Sequence, residues 1–292
     1  MILLKSGLMS TLKHLRERIR SIRSTQKITA AMKMVAAARL RRAQETSGDF
    51  QEYAKEMAGL LPKLMTQDLC LDDWSADDVR LLKGGEGPPL FLVISTERGL
   101  CGGYNTNLMK FLRSHVAKSL DFRLAIIGRK GKNLVDSVWR DKVLTFSWAE
   151  DTSYASSVQL AQHLQEWLNQ KVIGSIQCLH YGYKNVLTQQ LRLTSLVPFS
   201  CESRDDQGID CLTEPSLNVL LPQLLQDYLK TQVHKIILEG ATCEQAARMT
   251  AMDSATRNAR DILQRLQSTY NQTRQSQITN QLIEIISAAQ AV

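Results

Sequence analysis

No apolar run in this chain approaches the ~20 residues that a membrane-spanning helix requires, so a soluble or peripheral protein is expected. The six cysteines (Cys70, Cys101, Cys178, Cys201, Cys211 and Cys243) show no C-x-x-C spacing and adjoin no histidine cluster. That pattern argues against both a zinc site and a disulfide framework, and leaves reduced structural thiols as the expectation. The five histidines form no i,i+4 pair, and no Ser-His-Asp set or carboxylate pair can be assembled from neighbours in the chain. No catalytic residue, metal or cofactor is expected.

Acidic residues are scarce at the start. Up to Phe50 eleven Lys and Arg face only Glu17, Glu45 and Asp49, a surplus of eight in a chain whose net charge is +7. The basicity belongs to one segment, and the remainder is close to neutral. The opening MILLKSGLMS is too short in its apolar part for a secretory signal, and Met9 serves equally well as a start.

Proline is absent from Thr11 to Leu61, where Ala, Arg, Lys, Met and Gln prevail and only Gly48 and Gly59 interrupt them. These are strong helix formers. Within the run Leu12, Leu15, Ile19 and Ile22 step by three, four and three, the seam of a coiled coil. A helix over this span would be roughly 75 Å long, more than a compact domain needs. A matching seam lies near the other end, where Met249, Met252, Thr256, Ala259, Leu263, Leu266, Tyr270 and Thr273 alternate steps of three and four. It then shifts and resumes at Ile278, Leu282, Ile285, Ala289 and Val292.

Between the seams the composition turns acidic from Met65, then breaks at GGEGPP (Gly84 to Pro89), which reads as a linker. LFLVIS, FRLAIIG, IQCLHYGY and QLRLTSLV read as strands. Helical stretches lie between the strand runs, at NLMKFLRSHVAKSL and from Tyr154 to Lys171. This is a β/α succession with a largely parallel sheet. The expected fold is therefore α/β: an antiparallel coiled coil of the N- and C-terminal helices (1–64 and 212–292) with a linker and Rossmann-like α/β domain (65–211) inserted between them. Placing Leu15 near Leu266 and Ile22 near Ala259 gives residue numbers that add to about 281 across the pair. On that register the chain beyond Tyr270 has little partner, and from Gln275 to Val292 it carries one charge, Glu284. A chain end so sparsely charged implies an apolar sleeve supplied by another protein.

Two local motifs have bland readings beside sharper ones. In STERGLCGGYN a Gly-rich turn after a strand could present backbone N–H groups to phosphate, but it lacks the Lys-Ser/Thr of a P-loop and does not fit G-x-G-x-x-G. A tight strand-to-helix turn with Asn105 as cap is the reading preferred, and GRKGK (Gly128 to Lys132) reads as a solvated turn. Phosphate binding there would instead make the chain a nucleotide-binding α/β enzyme. A third possibility is a basic coiled coil that binds nucleic acid or anionic lipid through its first helix, although few aromatics accompany the charges.

TQKITAAMKMVAAARLRRAQ (Thr25 to Gln44), ISTERGLCGGYN (Ile94 to Asn105), EQAARMTAMDSATRNA and YNQTRQSQITNQLIEIISAA together resemble the gamma subunit of F-type ATP synthase. The resemblance spans nearly the whole chain. It implies a non-catalytic rotor shaft passing through a hexamer of alpha and beta subunits, with the α/β domain joined to the epsilon subunit and the c-subunit ring. Such a shaft serves ATP synthesis and hydrogen ion or other ion transport, sits peripherally on the cytoplasmic side of a bacterial inner membrane, touches the membrane only through the c ring, and binds no nucleic acid. It further implies that Lys27, Met32 and Arg248 lie near an acidic lever loop of the beta subunits, and that Arg274, Gln275 and Thr279 meet loops of the hexamer, with Gln281 and Ile285 in the same partner contact. Some positions depart from the family pattern. Asp253 and Arg257 stand where Lys and then Asp are frequent, Ala30 and Lys33 where Lys and Glu are common, and Gln281 where Glu is frequent. The insert with two close cysteines found in chloroplast forms is absent, so thiol control is not expected.

Overall fold

The computed structural model describes residues 2–64, 74–116, 121–135, 137–146, 151–199 and 213–290. In chain order these form α1 (Ile2–Leu64), α2 (Ala76–Lys83), β1 (Pro89–Ile94), α3 (Tyr104–Val116), β2 (Arg123–Ile127), α4 (Arg129–Lys132), a 3-10 turn (Ser137–Lys142), α5 (Tyr154–Asn169), β3 (Ser175–Tyr183), β4 (Gln189–Val197) and α6 (Leu217–Gln290). The two terminal helices pack as an antiparallel pair, and the β/α elements are inserted between them in sequence. The chain falls into two compact units, one of residues 1–36 with 249–292 and the other of residues 37–248, so the division lies within α1 and within α6.

In the first unit the seams are as the spacing predicts as far as Thr273; beyond it the expected continuation fails, because Ile278, Leu282 and Ile285 are exposed while Gln277 and Glu284 are the less exposed positions. Leu12, Leu15, Ile19, Ile22, Gln26, Thr29 and Ala36 are among the less exposed positions of α1, and Met249, Met252, Thr256, Ala259, Leu263, Leu266, Tyr270 and Thr273 among those of α6. The register differs. Arg16 Nη2 donates to Tyr270 Oη at 2.9 Å, Thr256 Oγ1 to Thr29 Oγ1 at 2.8 Å, and Lys33 Nζ to Asp253 Oδ1 at 2.6 Å. These pairs add to 286, 285 and 286, not 281, a slide of about one helical turn. An apolar seam repeats every turn and fits either alignment, whereas these polar partners meet in only one.

In the second unit the sheet order is β2-β1-β3-β4, with β1 parallel to both neighbours and β4 antiparallel to β3. Strands buried on both faces alternate their side chains between two cores. Leu90, Leu92 and Ile94 join Leu160, Leu164 and Leu168 of α5, Leu61 of α1 and Leu221 to Ile237 of α6 on one side. Phe91 and Val93 join Leu108, Met109 and Leu112 of α3 with Cys243 and Ala247 of α6 on the other. Burying a Leu side chain contributes roughly 1.5–3 kcal/mol, so these two layers carry most of the unit's stability.

Within the stretch expected to be linker, Ala76–Lys83 is a helix. Ser75 accepts a hydrogen bond from the Asp78 N–H at 3.2 Å, Asp77 and Asp78 lie in the first turn, and Leu81 and Leu82 are buried. The Asp residues that read as linker composition are in part a helix start. Cys70, Cys201 and Cys211 lie outside the described residues, while Cys101, Cys178 and Cys243 are free and buried.

Candidate partner-binding surface

α6 ends on a stretch where apolar side chains remain exposed. Ile278 is 48%, Leu282 53%, Ile283 55%, Ile285 64% and Ile286 56% exposed. At 100° per residue these five positions fall within about 160° of arc, from Ile285 through Ile278, Leu282 and Ile286 to Ile283, and so form one broad apolar face. A face of that breadth is one that a helix normally buries, and here it is left exposed by the chain itself. Arg274, Gln275 and Gln281 are exposed beside them, and Thr279 Oγ1 donates to the Gln275 carbonyl at 3.0 Å within the helix.

The other expected contact residues divide. Lys27 is exposed and Met32 half-buried, close to the charged cluster of Lys33, Asp253 and Arg257. That cluster takes in three of the departures noted above, Lys33, Asp253 and Arg257, and leaves Ala30 and Gln281 outside it. Asp253 accepts from both Lys33 and Arg257, which hold its carboxyl below the usual range, chiefly through the Lys33 hydrogen bond. Against the pattern that the resemblance implies, the signs at these three positions are exchanged, and attraction between the helices is present through Lys33 and Asp253. At the far end of the pair Arg16 lowers the Tyr270 phenol by the hydrogen bond described above, with its guanidinium carbon 5.9 Å from the ring centroid.

Arg248 lies in the second unit and is only 7% exposed. Its Nη2 donates to Glu244 Oε1 at 2.5 Å and to the Arg98 carbonyl at 3.3 Å, its Nε to the Gly99 carbonyl at 3.3 Å, and its Nη1 to Gln245 Oε1 at 3.0 Å. The guanidinium thus holds the loop after β1, an arrangement that sequence spacing gave no sign of, since the partners lie about 150 residues apart. The same loop is pinned at Glu97, which accepts from the Arg129 side chain at 3.0 Å. Asn105 does not cap α3. It lies in the first turn, accepts from the Thr96 N–H at 3.1 Å and donates to Thr96 Oγ1 at 2.6 Å. GRKGK is not a solvated turn either, because α4 begins there and Gly131 is buried against Ser95. The loop between these anchors presents Leu100, 58% exposed, at φ 65°.

Among the described residues no group of three or more His, Cys, Asp or Glu side chains could hold a metal ion, and no helix is long and apolar enough to cross a membrane. Two histidines are buried. Ser157 Oγ lies 2.8 Å from His234 Nδ1, and Phe50 and Tyr154 meet that ring edge-on. His180 Nε2 lies 2.9 Å from Thr194 Oγ1, while its Nδ1 is 3.8 Å from Glu239.

A family model described as ATP synthase matches residues 11–292. The ATP synthase gamma chain of Pelagibacter ubique is 34% identical over 97% of this chain and 100% of its own length, and that of Acidiphilium cryptum 36% identical with the same coverage. The chain belongs to the ATP synthase gamma-chain family. As a gamma chain it is a non-catalytic subunit of the central rotor shaft. Its fold is shared by a chain of the Euglena gracilis mitochondrial ATP synthase rotor in rotational state 1, with TM-score 0.62 at 20% identity over 92% of this chain and 99% of that one. A second Euglena gracilis structure, of the OSCP/F1/c-ring assembly in rotational state 3, gives TM-score 0.67 at 18% identity over 97% and 94%. At such identity the likeness is one of fold, and it extends to both terminal helices of the gamma chain as well as the β/α elements between them.

Proposed function

We propose that this chain turns inside an alpha/beta hexamer and couples ion flow through a c-subunit ring to ATP synthesis or hydrolysis, as a peripheral subunit on the cytoplasmic side of a bacterial inner membrane. Residues 1–64 and 212–292 act as the shaft, and residues 65–211 carry the contacts to the epsilon subunit and the c ring, so that membrane contact is indirect. The observation that carries this reading is the C-terminal helix end, exposed and apolar over one broad face and almost without charge. A strong ion pair between a turning shaft and its collar would create an angular trap, whereas apolar contact is non-directional.

Arg274, Gln275, Thr279, Gln281 and Ile285 meet the upper collar, and Lys27 and Met32 meet the beta subunits lower down. Arg248 belongs to that lower contact through the loop it braces. An asymmetric shaft biases each beta subunit between open and closed states in turn, so nucleotide affinity follows rotor angle.

The test is co-expression with alpha and beta subunits of the same organism, followed by ATP hydrolysis measurements with and without residues 275–292. A purified complex with one copy of this chain that hydrolyses ATP is the expected result, with assembly or activity reduced by the truncation. A chain that never joins an alpha–beta assembly would end the rotor reading.

A further inference from the structure

A groove of about 570 Å³ runs along one side of the paired helices within the first unit. Arg23 and Gln26 of α1 form one wall, and Arg260, Gln264, Gln267 and Asn271 of α6 the other. No carboxylate lines it. Among the described residues neither Arg23 nor Arg260 has an ion-pair partner, in contrast to Lys33 and Arg257 further along the same two helices, which share Asp253. Each helix contributes one guanidinium, so the two face a common space only because the helices pair in the register observed.

From this arrangement we infer that the groove receives an Asp or Glu side chain carried on a loop of an alpha or beta subunit, an inference that rests on the rotor reading. Guanidinium presents a planar fork that suits a carboxylate, and two of them in one groove leave a surplus of charge that the chain itself does not neutralise. The amides of Gln26, Gln264, Gln267 and Asn271 each offer both a donor and an acceptor, which fits the peptide groups on either side of such a carboxylate. A small multivalent anion would need donors alone. The contact would lie between the lower contact near Met32 and the collar around Arg274, and it would supply a charged, angle-dependent interaction where the tip supplies none.

The experiment uses the assembled complex with alpha and beta subunits. Arg23→Lys and Arg260→Lys keep the charge and add an amine that a carbodiimide can join to a carboxylate in contact with it. Peptide mass spectrometry is expected to find a link from position 23 or 260 to an Asp or Glu of alpha or beta in a complex that hydrolyses ATP. An assembled, active complex with no link from either position overturns the inference while leaving the rotor reading intact. Failure of the unmodified chain to assemble removes the rotor reading and this inference together. In a second arm the isolated chain is titrated with inorganic phosphate and with ATP. Binding that is lost in Arg23→Gln/Arg260→Gln assigns the groove to a small anion and also overturns the inference, whereas the absence of such binding supports a protein occupant.

Discussion

Lys33 of the first helix and Asp253 of the last meet at 2.6 Å, and the same carboxylate accepts from Arg257 four residues further on. Reversing Asp253 alone by Asp253→Lys places three cations together at this level. The thermal midpoint of the isolated chain is expected to fall, and the triple exchange Lys33→Glu/Asp253→Lys/Arg257→Asp to recover most of the loss. Because the group is partly exposed, the difference between the two variants should shrink in high salt. Circular dichroism melts at low and high ionic strength measure it, and a triple variant no better than the single one would contradict the pairing.

Arg248 is expected to matter for stability before it matters for any partner. Arg248→Ala leaves Glu244 buried without its cation and frees the carbonyls of Arg98 and Gly99. Removing one partner of a buried pair costs about 3–5 kcal/mol, and urea denaturation should show a loss near the lower end because Glu244 retains some exposure. Adding Glu244→Ala to it should recover part of the loss.

Acid sensitivity should centre on His180. Burial lowers its pKa to about 4, with Arg192 and Lys235 adding to the effect, whereas the unfolded chain titrates near 6.5. Between those values the unfolded state binds the extra proton, so the stabilisation is fully present above about pH 6.5 and is lost as pH falls through about 4. Burial raises the pKa of the facing Glu239, whose contribution has the opposite sign and is lost as pH rises through that raised value. Denaturation midpoints measured from pH 4 to pH 7 are expected to rise with pH, and His180→Gln to flatten the slope.

Leu100 holds a left-handed backbone conformation, φ 65°, while more than half exposed. A leucine there costs roughly 1–2 kcal/mol in backbone strain and recovers little by burial. Leu100→Asn should raise stability by about 1 kcal/mol, read as a higher urea midpoint. A drop would mean that the leucine packs more than its exposure implies.

Much of this was legible from spacing. The alternating steps of three and four located both helical seams because the seam residues are buried by a local rule that repeats along the helix. Register was not legible, since an apolar ladder looks the same after a slide of one turn, and the alignment is set by Thr29 with Thr256 and Lys33 with Asp253, pairs that composition does not join. α2 was hidden by its acidic start, which reads like linker and is instead the first turn of a helix capped by Ser75. The exposed tip could be expected because low charge is a property of the sequence alone. The bracing of the Arg98–Gly99 carbonyls by Arg248 could not, because it depends on tertiary placement.

The constant pairing from Arg16 with Tyr270 to Lys33 with Asp253 also has a mechanical meaning. Seams of alternating three and four wind helices into a left-handed supercoil, which is a chiral spring. Twisting of one sense tightens the winding and presses the seam residues together, and twisting of the other sense pries them apart. A coil of this hand is therefore stiffer toward one direction of turning, so the two directions in which such a shaft can be driven store different amounts of elastic energy for the same angle.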